Sequence, residues 1–417
     1  MNLIEHRTRV FPAFLLAFLV LAFKSNDALT LPQFFAEDVS IFFKGQLGHS
    51  LPQLWVPYAG YLHVMPRLIA WIGTWFGIAK APLVYNLAAT LLDAAAVAYT
   101  CHRLRSVVPF PLAMLTFMAV PVSGEILGTI TNAQWFLQFA LAAACFTEAE
   151  NSPGWPLWVR DLALFLLAVT GPFSIFVMLV VGGLAAASWL DRRLRMGLFE
   201  GYLATFSRRF EPRVIASIGA GAVIQVMVLL THAPESSGEH QSMFHLLRIA
   251  FTELAPIHVF GADFLTGNGW LVVYALLFWG LIAGKHVDGG KRLVVLAMLV
   301  FASAEMFAPI SMRDVTPVYQ FMLADRYFYV FKVVFWWAVF TAVVAKGSLS
   351  RHEAALTVAT FIGLVAVTNP DHLRRRPFVD YHWKQTAREL QEPGPHTVYS
   401  NPPGWGVVIE TPARETP

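Results

Sequence analysis

The stretch Val10–Asp38, VFPAFLLAFLVLAFKSNDALTLPQFFAED, sets two unlike kinds of chemistry end to end. An apolar run from Val10 to Phe23 follows Arg7 and Arg9, and the stretch closes on two adjacent carboxylates, Glu37 and Asp38. Arginines before an apolar run have the form of a signal peptide. No small-x-small cleavage site follows, and many more hydrophobic segments do. The run therefore reads as an uncleaved signal anchor and the first membrane span.

The rest of the chain has the same character. Of its 417 residues 56% are hydrophobic and only 14% charged, with mean hydropathy +0.55. Soluble domains carry roughly 25% charged residues, so one or two soluble domains are excluded. The 34 Phe and 13 Trp fit a lipid-facing surface with interfacial aromatics. A net charge of +3 says little about partners and gives no ground for a nucleic-acid one. Cys101 and Cys145 lie in different segments with no CxxC pair, which supports neither a disulfide framework nor a cysteine zinc site.

A span needs about 20 mostly apolar residues. Eleven segments qualify, centred on 10–29, 82–101, 107–123, 131–147, 157–171, 172–190, 214–231, 269–284, 293–310, 327–345 and 354–369. The predicted fold is an all-α polytopic membrane protein with about eleven transmembrane helices (range 10–13). The fifth and sixth spans meet at the Gly-Pro turn TGPFS (Thr170–Ser174). With the N-terminus in the cytoplasm, sixteen Lys and Arg fall on the inner side and seven in the outer loops. Every inner loop is then basic, as the positive-inside rule asks. That orientation puts the C-terminus in the periplasm of a bacterial inner membrane.

Tyr61–Phe76, YLHVMPRLIAWIGTWF, repeats Tyr61, Met65, Leu68, Ile72 and Phe76 on one helical face, which suits a helix lying in the interface. Met243–Leu254 reads as a second amphipathic piece, inside a long outer loop, 232–268. Residues 1–369 thus form the transmembrane domain, with a first outer loop at 30–81. Residues 370–417 form a small outer appendage: a short polar helix, then two strands about the turn NPPGW.

Ionisable residues collect on the outer side, and at membrane depth each is a functional hypothesis. Glu37 and Asp38 follow span 1, and GEILGTITNAQW (Gly124–Trp135) supplies Glu125, Asn132 and Gln134. The long loop adds His258, and MRDVTPVYQFMLADRYFYV (Met312–Val330) adds Arg313, Asp325 and Arg326. The inner loops hold no Gly-rich phosphate loop or nucleotide motif. A substrate handled outside, away from nucleotide sugars, must arrive already activated, most simply on a lipid.

A first span followed at once by an acidic pair and an interfacial helix resembles the GT-C glycosyltransferase superfamily. The stretches AED…PYAGYLHVMPRL, TNAQWF, TGPFS, DRYFYV and NPPGW together look like a bacterial subgroup of it. The pair here is Glu-Asp, where other branches have Asp-Glu or Asp-x-Asp. The resemblance implies a GT-C-like domain that takes sugar from a polyprenyl-phosphate donor and passes it to a glycan, lipid or protein acceptor. It implies Asp38 as general base with Glu37 orienting or replacing it. Arg326 first, then Arg313, with Arg67 and Lys44, would hold the donor phosphate. Tyr58, Tyr61, His63, Glu125, Asn132, Gln134, His258 and Asp325 would line the sugar and acceptor pocket. No cofactor or metal is expected for a monophosphate carrier. A diphosphate carrier would favour a divalent ion on Glu37 and Asp38.

Each side chain also has a plainer role open to it. Asp38 fits an N-cap for a helix starting near Val39, Arg326 a headgroup anchor beside Tyr327, and the histidines ordinary structural sites. A lipid-linked glycan transporter or flippase would place its charges at the membrane midplane. An O-antigen polymerase or ligase would use paired arginines in a large outer loop, where 232–268 holds only Arg248.

Overall fold

The computed structural model describes residues 3–148, 156–206, 208–232, 242–261, 264–284, 287–312, 314–344, 351–368 and 373–411. The chain is mostly helical: α1 (Leu3–Lys24), α2 (Val64–Thr74), α3 (Ala81–Arg103), α4 (Phe110–Ala119), α5 (Gln134–Phe146), α6 (Leu157–Ala168) and α7 (Phe173–Leu194). Then come α8 (Pro212–Thr231), α9 (Met243–Phe260), α10 (Gly269–Ala283), α11 (Gly289–Ser311), α12 (Arg326–Val344), α13 (Arg351–Thr368) and α14 (Trp383–Glu389). A hairpin of β1 (Gly394–Ser400) and β2 (Trp405–Thr411) closes the described chain.

Among the described residues five helices are long and apolar enough to cross a membrane: Ile78–Arg103, which contains α3, and α7, α8, α9 and α11. Every segment expected from hydropathy is helical, but α4, α5 and α6 have only 10, 13 and 12 residues. Prolines shorten two of them, with Pro109 before α4, Pro121 after it and Pro156 before α6.

Helix α5 sits at the centre, with every residue from Gln134 to Phe146 buried. Helix α3 packs on α1 and α5, α11 on α12, and α8 on α6 and α7. A Cβ on Gly221 of α8 would lie 2.4 Å from the Ala168 Cβ, so this small-residue contact sets how closely α6 and α8 approach. The outward faces are apolar rather than charged: Phe11, Leu19, Leu179, Leu230, Leu276 and Trp279 are all exposed. That is the surface of a helical membrane protein, whose solvent is lipid.

Helix α2 is too short to span, and its Met65, Leu68 and Ile72 stripe is half-exposed while Val64, Ile69, Ala70 and Gly73 pack inward. The apolar stripe is thus the less buried side of the helix. The Met243–Leu254 piece differs from expectation. It continues unbroken to Phe260 as α9, longer and more buried than a helix resting on a surface. The appendage is not set apart either. Trp383, Val398 and Ile409 join Phe34, Val39, Phe42 and Phe43 of the 30–81 loop in one apolar cluster.

Candidate functional site

The acidic pair sits at an irregular joint. After the turn Asp27–Thr30 the chain extends to Phe34, and Ala36 adopts a left-handed φ of 31°. The next segment, Asp38–Phe43, is a π-helical turn, a distortion frequent at functional sites. This geometry buries Asp38 completely while Glu37 stays half-exposed.

Asp38 Oδ1 accepts from the Thr131 N–H at 3.0 Å and the Thr131 hydroxyl at 2.5 Å. Its Oδ2 is buried with no hydrogen-bond partner among the described residues. Burial raises its pKa to about 7; the Thr131 bonds pull the other way and the charge of Glu37 adds to the rise. Tyr58 donates its hydroxyl to Glu37 Oε1 at 3.4 Å, and Glu37 Oε2 is a second buried, unpartnered oxygen. Burial, and then Glu37, push the Tyr58 phenol up to about 12.

One arginine faces Glu37 and a second packs on the π turn. Arg326, at the head of α12, lies close enough to Glu37 and Tyr58 to interact with their charges. Its Nη1 donates to Glu125 Oε2 at 2.7 Å and its N–H to Glu125 Oε1 at 3.2 Å, so its charge is matched within the protein. Arg67 is the second. Its guanidinium sits 5.5 Å from the Phe42 ring, one helical turn past Asp38, and its Nε donates to the Val56 carbonyl at 3.0 Å. Arg67 is 4% exposed and forms no salt bridge with a carboxylate among the described residues.

His63 stacks on Tyr61 at 4.5 Å and touches Phe42 and Tyr58. Burial, then the Arg67 charge, lower its pKa to about 3, so the ring is neutral. The loop 62–65 is fixed by the TGPFS turn. The Gly171 N–H donates to the Leu62 carbonyl at 2.9 Å, and Thr170 Oγ1 accepts from the Met65 N–H at 3.1 Å. A Cβ on Gly171 would come within 2.3 Å of Gln134 Oε1. Beside Phe43 an apolar cavity of about 390 Å³ opens between the π turn and α2, lined by Leu47, Ala70, Gly73, Ile78 and Tyr85.

The residues expected at the site divide. Glu37, Asp38, Tyr58, Glu125 and Arg326 come together, and Tyr61, His63 and Arg67 adjoin them through Tyr58 and Phe42. Asn132 and Gln134 are buried beneath them: Asn132 Nδ2 holds the Glu125 carbonyl at 2.7 Å, and Gln134 Nε2 the Thr131 carbonyl at 3.1 Å. They shape the Glu125–Thr131 segment rather than line a pocket. Lys44 is exposed and forms no ion pair among the described residues. Arg313 lies outside the described residues.

His258 and Asp325 are a correction. Both are fully buried and bonded to each other at 3.2 Å, with Asp325 also accepting from Lys332 Nζ and, at 3.0 Å, from the Ser123 N–H. His258 Nε2 pairs with the Val318 carbonyl at 3.0 Å. Both side chains face this network, and neither is open to a substrate in this structure. Lys332 also donates to the Pro121 carbonyl at 3.1 Å, so the network pins the segment that carries Glu125 and Thr131.

Sequence reasoning missed three groups. Thr131 carried no signal beyond its place beside Asn132. Asp93 and Glu305 stand inside apolar runs, which was signal enough; both are buried, with Asp93 Oδ1 and both Glu305 oxygens unpartnered. Asn401 was seen only as a turn residue. Among the described residues no three His, Cys, Asp or Glu side chains group to hold a metal ion. Comparison with known protein families, curated proteins and solved structures finds no match to this chain.

Proposed function

We propose that the protein is a GT-C-type glycosyltransferase that moves a sugar from a polyprenyl-phosphate carrier to an acceptor on the periplasmic face of a bacterial inner membrane. The observation that carries the reading is Asp38. It is a fully buried carboxyl, held through one oxygen by Thr131, with its other oxygen unpartnered. Burying a carboxylate this way destabilises the protein, and strongly perturbed carboxyls concentrate at functional sites. A carboxyl titrating near neutral pH suits a general base.

In the proposed step the acceptor oxygen bonds to the anomeric carbon as that carbon's bond to the carrier phosphate breaks. Asp38 takes the hydroxyl proton, and the bonding electron pair leaves on the phosphate. Arg67, rather than Arg326, is the guanidinium for that phosphate, because Arg326 already faces Glu125. The apolar cavity beside Phe43 offers room for the first isoprene units. Eleven spans with a cytoplasmic N-terminus complete the reading, and α9 belongs to the outer loops in it. Thr252 of α9 accepts from the Gly267 N–H at 2.7 Å, and His258 meets Asp325, both beside outer ends of spans.

The test supplies purified protein with a panel of polyprenyl-phosphate and polyprenyl-diphosphate sugars, with and without Mg²⁺, and follows release of the carrier phosphate. Arg67→Leu is expected to raise the donor KM roughly 10–100-fold with a smaller change in kcat, as loss of a charge-assisted phosphate contact does. Arg67→Leu with the parent's donor KM removes Arg67 from the role. The burial of Asp38 also supports Glu37, half-exposed beside Tyr58, as the carboxylate that meets the acceptor. Loss of turnover in Glu37→Gln but not in Asp38→Asn would select it.

A second reading rests on Asp93 and Glu305, acids inside the helices Ile78–Arg103 and α11. Buried intramembrane carboxyls mark transport paths. A lipid-linked glycan flippase would carry a labelled lipid across vesicles intact. The enzyme would separate sugar from carrier without moving it.

A further inference from the structure

We infer that the C-terminal segment 373–411 is a positioning element for the acidic pair, acting through the main chain of Asn401 on Ala36. The Ala36 N–H donates to the Asn401 carbonyl at 2.5 Å, and the Asn401 N–H to the Phe34 carbonyl at 3.0 Å. These two bonds form a one-residue parallel bridge between Phe35 and Asn401. They flank Phe35 and fix the N–H of Ala36, the residue that directly precedes Glu37 and that holds a φ of 31°. A left-handed alanine is unfavourable by roughly 1 kcal/mol and persists only where its surroundings fix it. The backbone then turns at once into the π turn, where the Asp38 N–H meets the Phe35 carbonyl at 2.7 Å.

The clasp is itself braced. Asn401 Oδ1 accepts from the Val379 N–H at 2.9 Å, and its Nδ2 returns a bond to the Val379 carbonyl at 3.0 Å. Trp383 packs edge-on against Phe34, with ring centroids 4.7 Å apart, and against Phe43 at 5.5 Å. Its indole N–H donates to the Ile78 carbonyl at 3.1 Å. The segment also reaches the far wall of the site. Arg375 donates to Asp27 Oδ2 and to the Leu127 carbonyl, each at 2.7 Å, and Leu127 lies in the segment that brings Glu125 and Thr131 to Asp38. Both sides of the carboxylate pair are thus tied to a piece of chain more than 300 residues away in sequence. An appendage that only covered the surface would have no need to bond the main chain on both sides of Phe35 and at the N–H of a strained residue.

The test reads Asp38 itself and needs no substrate, so it stands whether or not the glycosyl-transfer reading does. Full-length protein in detergent is labelled with carboxyl-¹³C aspartate, the Asp38 resonance is assigned with Asp38→Asn, and its titration is followed by NMR. The titratable groups facing Asp38 are Glu37 on its own segment and Tyr85 from α3. Asn401→Ala frees the turn from Val379. It is expected to lower the Asp38 midpoint by about one pH unit or more as the carboxyl gains water. Adding Ala36→Gly is expected to recover most of that fall, because glycine adopts a positive φ without support. Loss of a merely structural brace would not be repaired at residue 36. Asn401→Asp, which keeps the acceptor to the Val379 N–H, is measured alongside, so that poor folding of the alanine variant leaves a readable result. A folded Asn401 variant with the parent's midpoint overturns the inference. So does a shift that Ala36→Gly leaves in place.

Discussion

Asp38→Asn is expected to abolish sugar transfer and, at the same time, to leave the protein more stable than its parent at pH 8. The two effects have one cause. Burial raises the Asp38 pKa from 3.8 to about 7 in the folded protein. A folded-state value above the unfolded one means that the folded chain holds the proton more tightly. Stability is therefore fully present below the unfolded value, falls as pH rises through the interval, and stays low above the folded value. At about 1.4 kcal/mol per pH unit, that interval corresponds to about 4 kcal/mol lost by pH 8. Asparagine keeps the acceptor for the Thr131 N–H and hydroxyl but places an unpartnered amide where Oδ2 was, at about 1–3 kcal/mol. The net gain is thus about 1–3 kcal/mol at pH 8. At pH 4, where the parent's carboxyl is also neutral, the gain is lost and the amide's cost leaves the variant the less stable by up to about 1–3 kcal/mol. Unfolding midpoints in detergent at the two pH values read this directly. Removing the base should lower kcat by about 10²–10⁴-fold. In the parent, turnover should rise with pH through about 7 as the carboxylate forms. Turnover near the parent's level in a folded Asp38→Asn protein removes Asp38 from the chemistry. A midpoint that does not rise at pH 8 removes the account of its burial.

How much of this was legible in the sequence depends on what each signal measures. Apolar length is a one-dimensional property, so the helical segments and the half-exposed α2 stripe could be read directly. Glu37 and Asp38 stood out because charge beside a membrane span is costly wherever the chain goes next. Arg67 and Arg326 could be nominated as cations, but which of them is free depends on where Glu125 falls, a fact of three-dimensional packing. Thr131 meets Asp38 across 93 residues, and Asn401 meets Ala36 across most of the chain. Contacts across such separations leave no mark in the local sequence. The extension of α9 to Phe260 was missed because its amphipathic first two-thirds hid the apolar last third, APIHVF.

Asp325 makes the same point with the larger effect on stability, since the sequence offers it equally as a sugar ligand and as a structural acid. Asp325→Asn is expected to destabilise the protein by about 3–5 kcal/mol, the usual result of stranding a buried charge. Lys332 and Asp325 are both fully buried, and in the variant the ammonium keeps only the Pro121 carbonyl. The bonds from Ser123 and His258 would meet a neutral amide, and the hold on the Glu125–Thr131 segment would slacken with them. If the charge pair is the cause, removing both members should be milder than removing one. Asp325→Asn combined with Lys332→Met is expected to recover most of the lost stability, because a buried ion pair replaced by uncharged groups is often close to neutral. Thermal unfolding of the two single variants and the double variant forms a mutant cycle that isolates the coupling. A sugar-binding Asp325 would behave otherwise: the single variant would unfold with the parent and show only a raised KM for donor or acceptor. A cycle with no coupling between 325 and 332 would return Asp325 to the pocket, and His258 with it.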